Sequence, residues 1–272
     1  MSGTREGPHQ GVAPAPEPHQ LLELARHVAH SAGDIAARGQ QQVRVFDTKS
    51  SPTDVVTEMD RATERHVREQ LLKARPADAL LGEEVGASAG SSGVRWIIDP
   101  IDGTVNYLYG RADWAVSIAA EYGGSVLAGV VTAPVLGVTY SAVRGGGAMA
   151  GQRPLRRIEV PALELALLAT GFGYDAARRA EQAEILRSVL PRVRDIRRAG
   201  SSALDLCAVA SGEVDGYYEH GLSPWDWSAA ALVAAESGVR VAEPGADELL
   251  VAAPEPLFAS LAELVSGRGP RR

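Results

Sequence analysis

Cysteine is almost absent from this chain. Cys207 is the single one in 272 residues. One thiol excludes an intrachain disulfide and the multi-cysteine zinc sites. It lies in the apolar stretch Ala203–Ala210, which makes it a packed core thiol rather than a nucleophile. No run approaches the roughly 18 consecutive apolar residues of a transmembrane helix, and the N-terminus lacks the apolar core of a signal peptide. These absences predict a cytoplasmic protein with no membrane partner. A basic excess is missing too: 27 Lys and Arg against 34 Asp and Glu leave a formal net charge of −7. That balance argues against nucleic acid as the main ligand, which needs Lys/Arg clusters. It does not exclude an anionic substrate, because bound cations invert local charge. Arg144-Gly145-Gly146-Gly147 lacks the Gly-Lys-Ser/Thr that would make it a phosphate loop, so it reads as a turn.

Hydrophobic residues make up 45% of the chain, enough for a proper core in one large domain or two coupled ones. Residues 1–18 carry no periodicity and are expected to be a disordered tail. Helical spacing follows over Leu21–Ala37, then a short strand at Val43–Phe46 and a polar loop with Lys49. Thr57-Glu58-Met59-Asp60 is a capping box that opens a helix to about Lys73. Strands are expected at Ala79–Leu81, Val94–Ile98, Ala115–Tyr122, Val126–Thr132 and Val138–Val143. A small-residue loop covers Gly86–Gly93, and Gly123-Gly124 makes a hairpin. Past about residue 155 strands and helices alternate: strands near 166–170, 192–197, 214–219, 239–242 and 249–251, helices near 176–190, 201–211, 226–237 and 256–265. The layout divides into an N-terminal α+β part over 19–155 with an antiparallel sheet and a C-terminal α/β part over 156–268.

Trp96-Ile97-Ile98-Asp99-Pro100-Ile101-Asp102-Gly103-Thr104 is the most informative segment. An apolar strand runs out into two carboxylates three residues apart, followed by a turn and a hydroxyl. Pro100 should stop the strand near Asp99, and Thr104 is placed to cap a short helix at Val105–Tyr107. Acidic oxygens suit Mg²⁺ and helix N–H groups suit phosphate. Further acids stand at expected element ends: Glu83 and Glu84, Glu219, and Asp226. Two carboxylates about 4 Å apart repel by roughly 4 kcal/mol at an effective dielectric of about 20. If these acids meet, divalent cations should accompany them.

Trp96–Asn106 resembles the first signature of the inositol monophosphatase family, Asp-Pro-x-Asp-Gly-Thr-x-Asn after an apolar strand. Trp225-Asp226-x-x-Ala229-Ala230 resembles its second. Gly82-Glu83-Glu84 and the stretch from Lys49 to Asp60 match as well, so the similarity covers about residues 20–265. Ala199–Cys207 and Tyr217–Gly221 look most like the inositol-type bacterial members. The resemblance implies a layered αβαβα sandwich, often dimeric, so a homodimer is expected. It implies that Glu83, Asp99 and the Ile101 carbonyl hold a first Mg²⁺, and that Asp99, Asp102 and Asp226 hold a second, with Glu83 also helping a third, weaker ion. Thr104, paired with Asp60 and near Glu83, would orient and deprotonate the attacking water. Backbone N–H groups of Gly103 and Thr104 would hold phosphate oxygens. Glu219 would bind substrate hydroxyls, and Ser202, alanine in some relatives, would line the same pocket. Asp54 would sit outside the ligand set and Lys49 on a loop near the entrance. Asp205 reads either as a further residue of the pocket or, by preference, as a helix-surface acid.

Hydrolysis of a phosphate monoester requires acceleration of up to about 10²¹-fold, mostly from positioning and charge neutralisation. The reaction that the resemblance implies is Mg²⁺-dependent, Li⁺-sensitive hydrolysis of myo-inositol 1-phosphate by direct attack of a metal-bound water. Histidinol-phosphate phosphatase activity is the rival within the class. A regulatory binding protein on the same fold is the rival outside it.

Overall fold

The computed structural model describes residues 16–42, 45–48, 55–157, 160–245 and 249–266. The expected tail, Val43, Arg44 and the Lys49–Asp54 loop lie outside the described residues, apart from the tail's last three positions. Helix α1 (Pro18–Gly39) already begins at Pro18, in the expected tail, because a proline is tolerated in a first helical turn. A two-stranded ribbon, β1 (Val45–Thr48) with β2 (Val55–Thr57), leads into α2 (Glu58–Ala74).

The main sheet has eight strands. They are β3 (Ala79–Gly82), β4 (Gly86–Ser88), β5 (Val94–Asp102), β6 (Ala115–Tyr122), β7 (Ser125–Ala133), β8 (Val138–Val143), β9 (Gly147–Ala150) and β10 (Arg153–Leu155), in the order β10-β9-β8-β7-β6-β5-β3-β4. All its pairs are antiparallel except β3 with β5. Gly123 and Gly124 turn the β6–β7 hairpin with φ of 59° and 77°, the left-handed values such a turn needs. The short strands β4, β9 and β10 extend the sheet beyond the expected elements. The small residues and glycines of β4 and β9, and the three-residue length of β10 around Pro154, carry too little alternation to announce a strand.

A short helix α3 (Thr104–Leu108) follows β5. The second half builds β11 (Leu167–Thr170), α4 (Ala176–Val189), β12 (Asp195–Arg197), α5 (Ser202–Ser211), β13 (Gly216–His220), α6 (Pro224–Glu236), β14 (Arg240–Ala242), β15 (Leu249–Ala253) and α7 (Leu257–Val265). Its sheet runs β12-β11-β13-β15-β14, parallel across β12, β11 and β13 and antiparallel at β15.

Side-chain alternation sorts these elements into layers. Trp96, Ile98, Val116, Ile118 and Val130 of the main sheet pack on α1 and α2 through Ala25, Val28, Ala32, Val67 and Leu71. Ile97, Ala119 and Val131 face the other way, onto Ala229, Ala230 and Val233 of α6 and Leu206 and Cys207 of α5. The same core reaches Tyr217, Leu250 and Ala252 of the five-stranded sheet. The far side of that sheet is covered by α7 through Leu257, Phe258 and Leu261, with Val189 of α4. The result is the expected αβαβα sandwich, with α5 and α6 buried between two sheets. Gly129 in β7 permits the close approach of α6, since a Cβ there would lie 2.7 Å from the Ala229 carbonyl oxygen.

Candidate active site

Strand β5 does not stop at Asp99. It continues to Asp102 through an irregularity in its pairing with β6, where Asp99 opposes Ser117 and Asp102 opposes Ala115. Three steps on β5 answer two on β6, so the bulge takes up Pro100, which has no N–H to give the ladder. Its effect is to aim two carboxylates at the end of the sheet. In the parallel register Gly82 pairs with Ile98, so Glu83 and Asp99 leave adjacent strands side by side. The Glu83 N–H donates to the Ile98 carbonyl at 3.2 Å.

Glu83, Asp99, Ile101, Asp102, Gly103, Thr104, Ser202, Glu219 and Asp226 all line one cavity of about 400 Å³. Of the ten residues that the resemblance assigns to metal binding, water activation or substrate, nine line this cavity, and the tenth, Asp60, stands behind Thr104. The Thr104 hydroxyl donates to Asp60 Oδ1 at 3.0 Å and lies 3.2 Å from the Ile101 carbonyl. Thr104 is therefore not the helix cap. Gly103, at φ 99°, holds the N-cap position of α3, and Thr104 is the first helical residue with its hydroxyl turned to Asp60. The glycine is required there: a side chain would need the left-handed conformation and would press on the Asp113 and Gly200 carbonyls at 3.1 and 3.2 Å.

The capping box at Thr57 is present and shared with the site. Asp60 Oδ2 accepts from the Thr57 N–H at 2.8 Å, leaving Oδ1 for Thr104. Asp226 combines the same two duties. It accepts from the Ser223 N–H at 2.6 Å at the start of α6 and also lines the cavity. Asp102 is fixed from α5, accepting from the Ser201 hydroxyl at 2.5 Å and the Ala203 N–H at 2.7 Å. Asp99 accepts from the Ile101 N–H at 3.0 Å. Glu219 accepts from the Tyr217 hydroxyl at 2.6 Å, and Gly171 lies so close to its carboxylate that any side chain there would displace it.

Burial sets the electrostatics. It pushes the Asp102 carboxyl up to about 6 against the Ser201 and Ala203 hydrogen bonds, with the Glu83 charge adding to the rise. Glu219 is pushed to about 7, mainly by burial. Asp226 is raised well above the usual carboxylate range by burial and then by the charges of Glu83 and Asp102. Asp60 is raised by burial, opposed by its Thr57 hydrogen bonds. These acids thus work against each other's ionisation, as carboxylates gathered for a cation do. Among the described residues, no three His, Cys, Asp or Glu side chains already form a group tight enough to hold a metal ion. The carboxylates share a cavity rather than a closed cage.

For Asp205 the preferred sequence reading, a helix-surface acid, is corrected, and the pocket alternative holds. The residue is 4% exposed, lines the cavity, and its carboxyl is raised to about 8 by burial and by the Glu219 and Asp102 charges. Lys49 and Asp54 lie outside the described residues. The sequence reading missed Glu64 of α2, which accepts from the Glu84 N–H at 2.7 Å and the Val85 N–H at 3.2 Å and so anchors the turn that carries Glu83. It also missed Arg178 and Arg198, which supply positive charge to the cavity wall. Only the capping-type Ser201 and Ser223 carried a local signal.

Fold and site define a phosphatase: a layered sandwich with acids from several segments on one cavity and a hydroxyl–carboxylate pair at its floor. The inositol monophosphatase family model matches residues 17–267. Inositol-1-monophosphatase SuhB of Mycobacterium tuberculosis is 46% identical over 247 residues, covering 84% of this chain and 85% of the relative. Nus factor SuhB of Pseudomonas aeruginosa is 39% identical over 230 residues, covering 82% and 85%. The crystal structure of extragenic suppressor protein suhB from Bartonella henselae superposes with a TM-score of 0.84 at 33% identity, covering 90% of this chain and 98% of that one. The chain belongs to the inositol monophosphatase family.

Proposed function

We propose that this phosphatase hydrolyses myo-inositol 1-phosphate to inositol and phosphate with Mg²⁺ as cofactor, as a cytoplasmic homodimer. The observation that carries the reading is the convergence of Glu83, Asp99, Asp102 and Asp226, from three separate segments, on one cavity beside the Thr104–Asp60 pair. The donor set fits the cofactor. It is all oxygen, carboxylate-rich and mutually repelling, which suits a hard cation and no soft one. Glu83, Asp99 and the Ile101 carbonyl would hold one ion and Asp99, Asp102 and Asp226 a second, with Glu83 shared by a third. Bound Mg²⁺ would neutralise phosphate charge and acidify a coordinated water.

The chain's own residues supply the rest. Thr104 donates its proton to Asp60, so its oxygen lone pairs are free to take one from an attacking water, with Glu83 on the same wall. Gly103 and Thr104 would offer N–H groups to the phosphate oxygens. Ser202, which donates to the Asp226 carbonyl at 3.0 Å, and Glu219 would meet the alcohol half of the substrate.

The test is phosphate release from inositol 1-phosphate and from histidinol phosphate under Mg²⁺. Faster turnover of the inositol ester supports the reading, and faster turnover of histidinol phosphate replaces it. The Pseudomonas relative's name, Nus factor SuhB, supports a second reading, a regulatory binding role on the same fold. A cellular function that survives loss of catalysis in Asp99→Asn would favour it.

A further inference from the structure

At the end of the cavity formed by α5 and β13, one carboxyl has no structural employment. Asp205 is 4% exposed and faces the cavity. Among the described residues, no donor gives its carboxyl a hydrogen bond, whereas every other buried acid of the site has one that serves the fold. Its oxygens open onto the cavity rather than into the packed core, so their hydrogen bonds are left for whatever occupies the cavity.

Its surroundings indicate which ligand. Asp102 is held by Ser201 and Ala203, at the N-terminus of the helix that carries Asp205. Glu219 has one oxygen engaged by Tyr217. The charges that act on Asp205 are those of Glu219, Asp102 and Asp113, opposed by Arg198. Asp205 and Glu219 line the same cavity, and burial with the Glu219 charge pushes the Asp205 carboxyl up to about 8, so this end offers carboxyl oxygens as acceptors and, in the protonated form, an O–H donor. A hydroxyl both gives and takes a hydrogen bond, so the hydroxyls of a polyol suit that pair. A phosphate oxygen, acceptor only and negative, would be repelled here.

We infer that Asp205 is a specificity-determining residue that hydrogen-bonds a hydroxyl of the substrate's alcohol half, beside Glu219, and selects polyol phosphates over monoesters without hydroxyls. The inference rests on the phosphatase reading above and deepens it by assigning the polyol end of the cavity.

The experiment compares kcat/KM on myo-inositol 1-phosphate with kcat/KM on phenyl phosphate, which has no hydroxyls, using the full chain with Mg²⁺. Wild type, Asp205→Ala and Asp205→Asn are measured, with thermal melting to confirm that each is folded. The expected result is a fall of roughly tenfold in the inositol-to-phenyl ratio for Asp205→Ala, the size of one hydrogen bond, carried mainly by KM. Asp205→Asn, which still donates and accepts, should recover most of it. An unchanged ratio, or an equal loss on both esters, overturns the role of Asp205 while the phosphatase reading stands. A wild type inactive on both esters overturns the phosphatase reading and this inference with it.

Discussion

The Thr104 hydroxyl and the Asp60 carboxylate, 44 residues apart in sequence, meet at 3.0 Å, and the other Asp60 oxygen is spent on capping α2. One acid therefore fixes a helix start and orients a hydroxyl. Removing that hydroxyl by Thr104→Val should lower kcat by about 10²-fold or more with little change in KM, the scale of a positioned proton acceptor. Asp60→Asn should fall similarly. Because the pair works as a unit, the double variant should be no slower than the worse single one. Additive losses, measured by steady-state kinetics on one substrate, would show that the two act separately.

Glu64 should matter without touching substrate. Its carboxylate is buried, accepts from the Glu84 and Val85 N–H groups, and pairs with Arg68 at 3.2 Å. Glu64→Ala leaves two amides without their acceptor and removes the carboxylate partner of Arg68, whose guanidinium keeps the Gly86 carbonyl and the Ser88 hydroxyl. It should cost about 3 kcal/mol in urea unfolding, the lower range for breaking a buried pair. The concentration of Mg²⁺ needed for half-maximal activity should also rise, since the turn bearing Glu83 loses its anchor. A destabilised variant with unaltered Mg²⁺ dependence would separate Glu64 from the site.

Asp205 also predicts a pH dependence of stability. Its folded carboxyl is raised from 3.8 to about 8. Between those values the folded chain binds the proton that the unfolded chain releases, so this group's contribution to stability declines as pH rises through that window. Asp205→Asn removes the term. In EDTA, the drop in urea midpoint between pH 5 and pH 8 should be smaller for the variant than for wild type. Equal drops would mean that Asp205 ionises normally in the fold.

Much of this site was legible because its signals are local. The Thr57–Asp60 capping box, the Asp-Pro-x-Asp-Gly-Thr run and the Ser-Pro-Trp-Asp helix start each declare themselves within a few residues. Asp205 did not. In a helix packed on one sheet, an acid between leucines points to solvent. Helix α5 lies between two sheets, so the direction that reads as solvent faces the cavity. The overrun of β5 past Pro100 was hidden for a related reason: a proline ends a regular strand but fits a bulge, and only the pairing with β6 shows which applies.

Gly171 gives a prediction about the substrate end. It abuts the Glu219 carboxylate, so Gly171→Ala must displace that side chain. KM for inositol 1-phosphate should rise several-fold, while phenyl phosphate, without hydroxyls for Glu219 to meet, should show a smaller change. Equal effects on both esters would place Glu219 outside the alcohol pocket.

Phosphate release from inositol 1-phosphate, measured with purified protein in millimolar Mg²⁺ and again in excess EDTA, bears most directly on acids from separate segments sharing hard cations for one reaction. Steady turnover in Mg²⁺ that vanishes in EDTA and returns on adding Mg²⁺ is the predicted result. Release at the same rate in both buffers, or none in either, contradicts it.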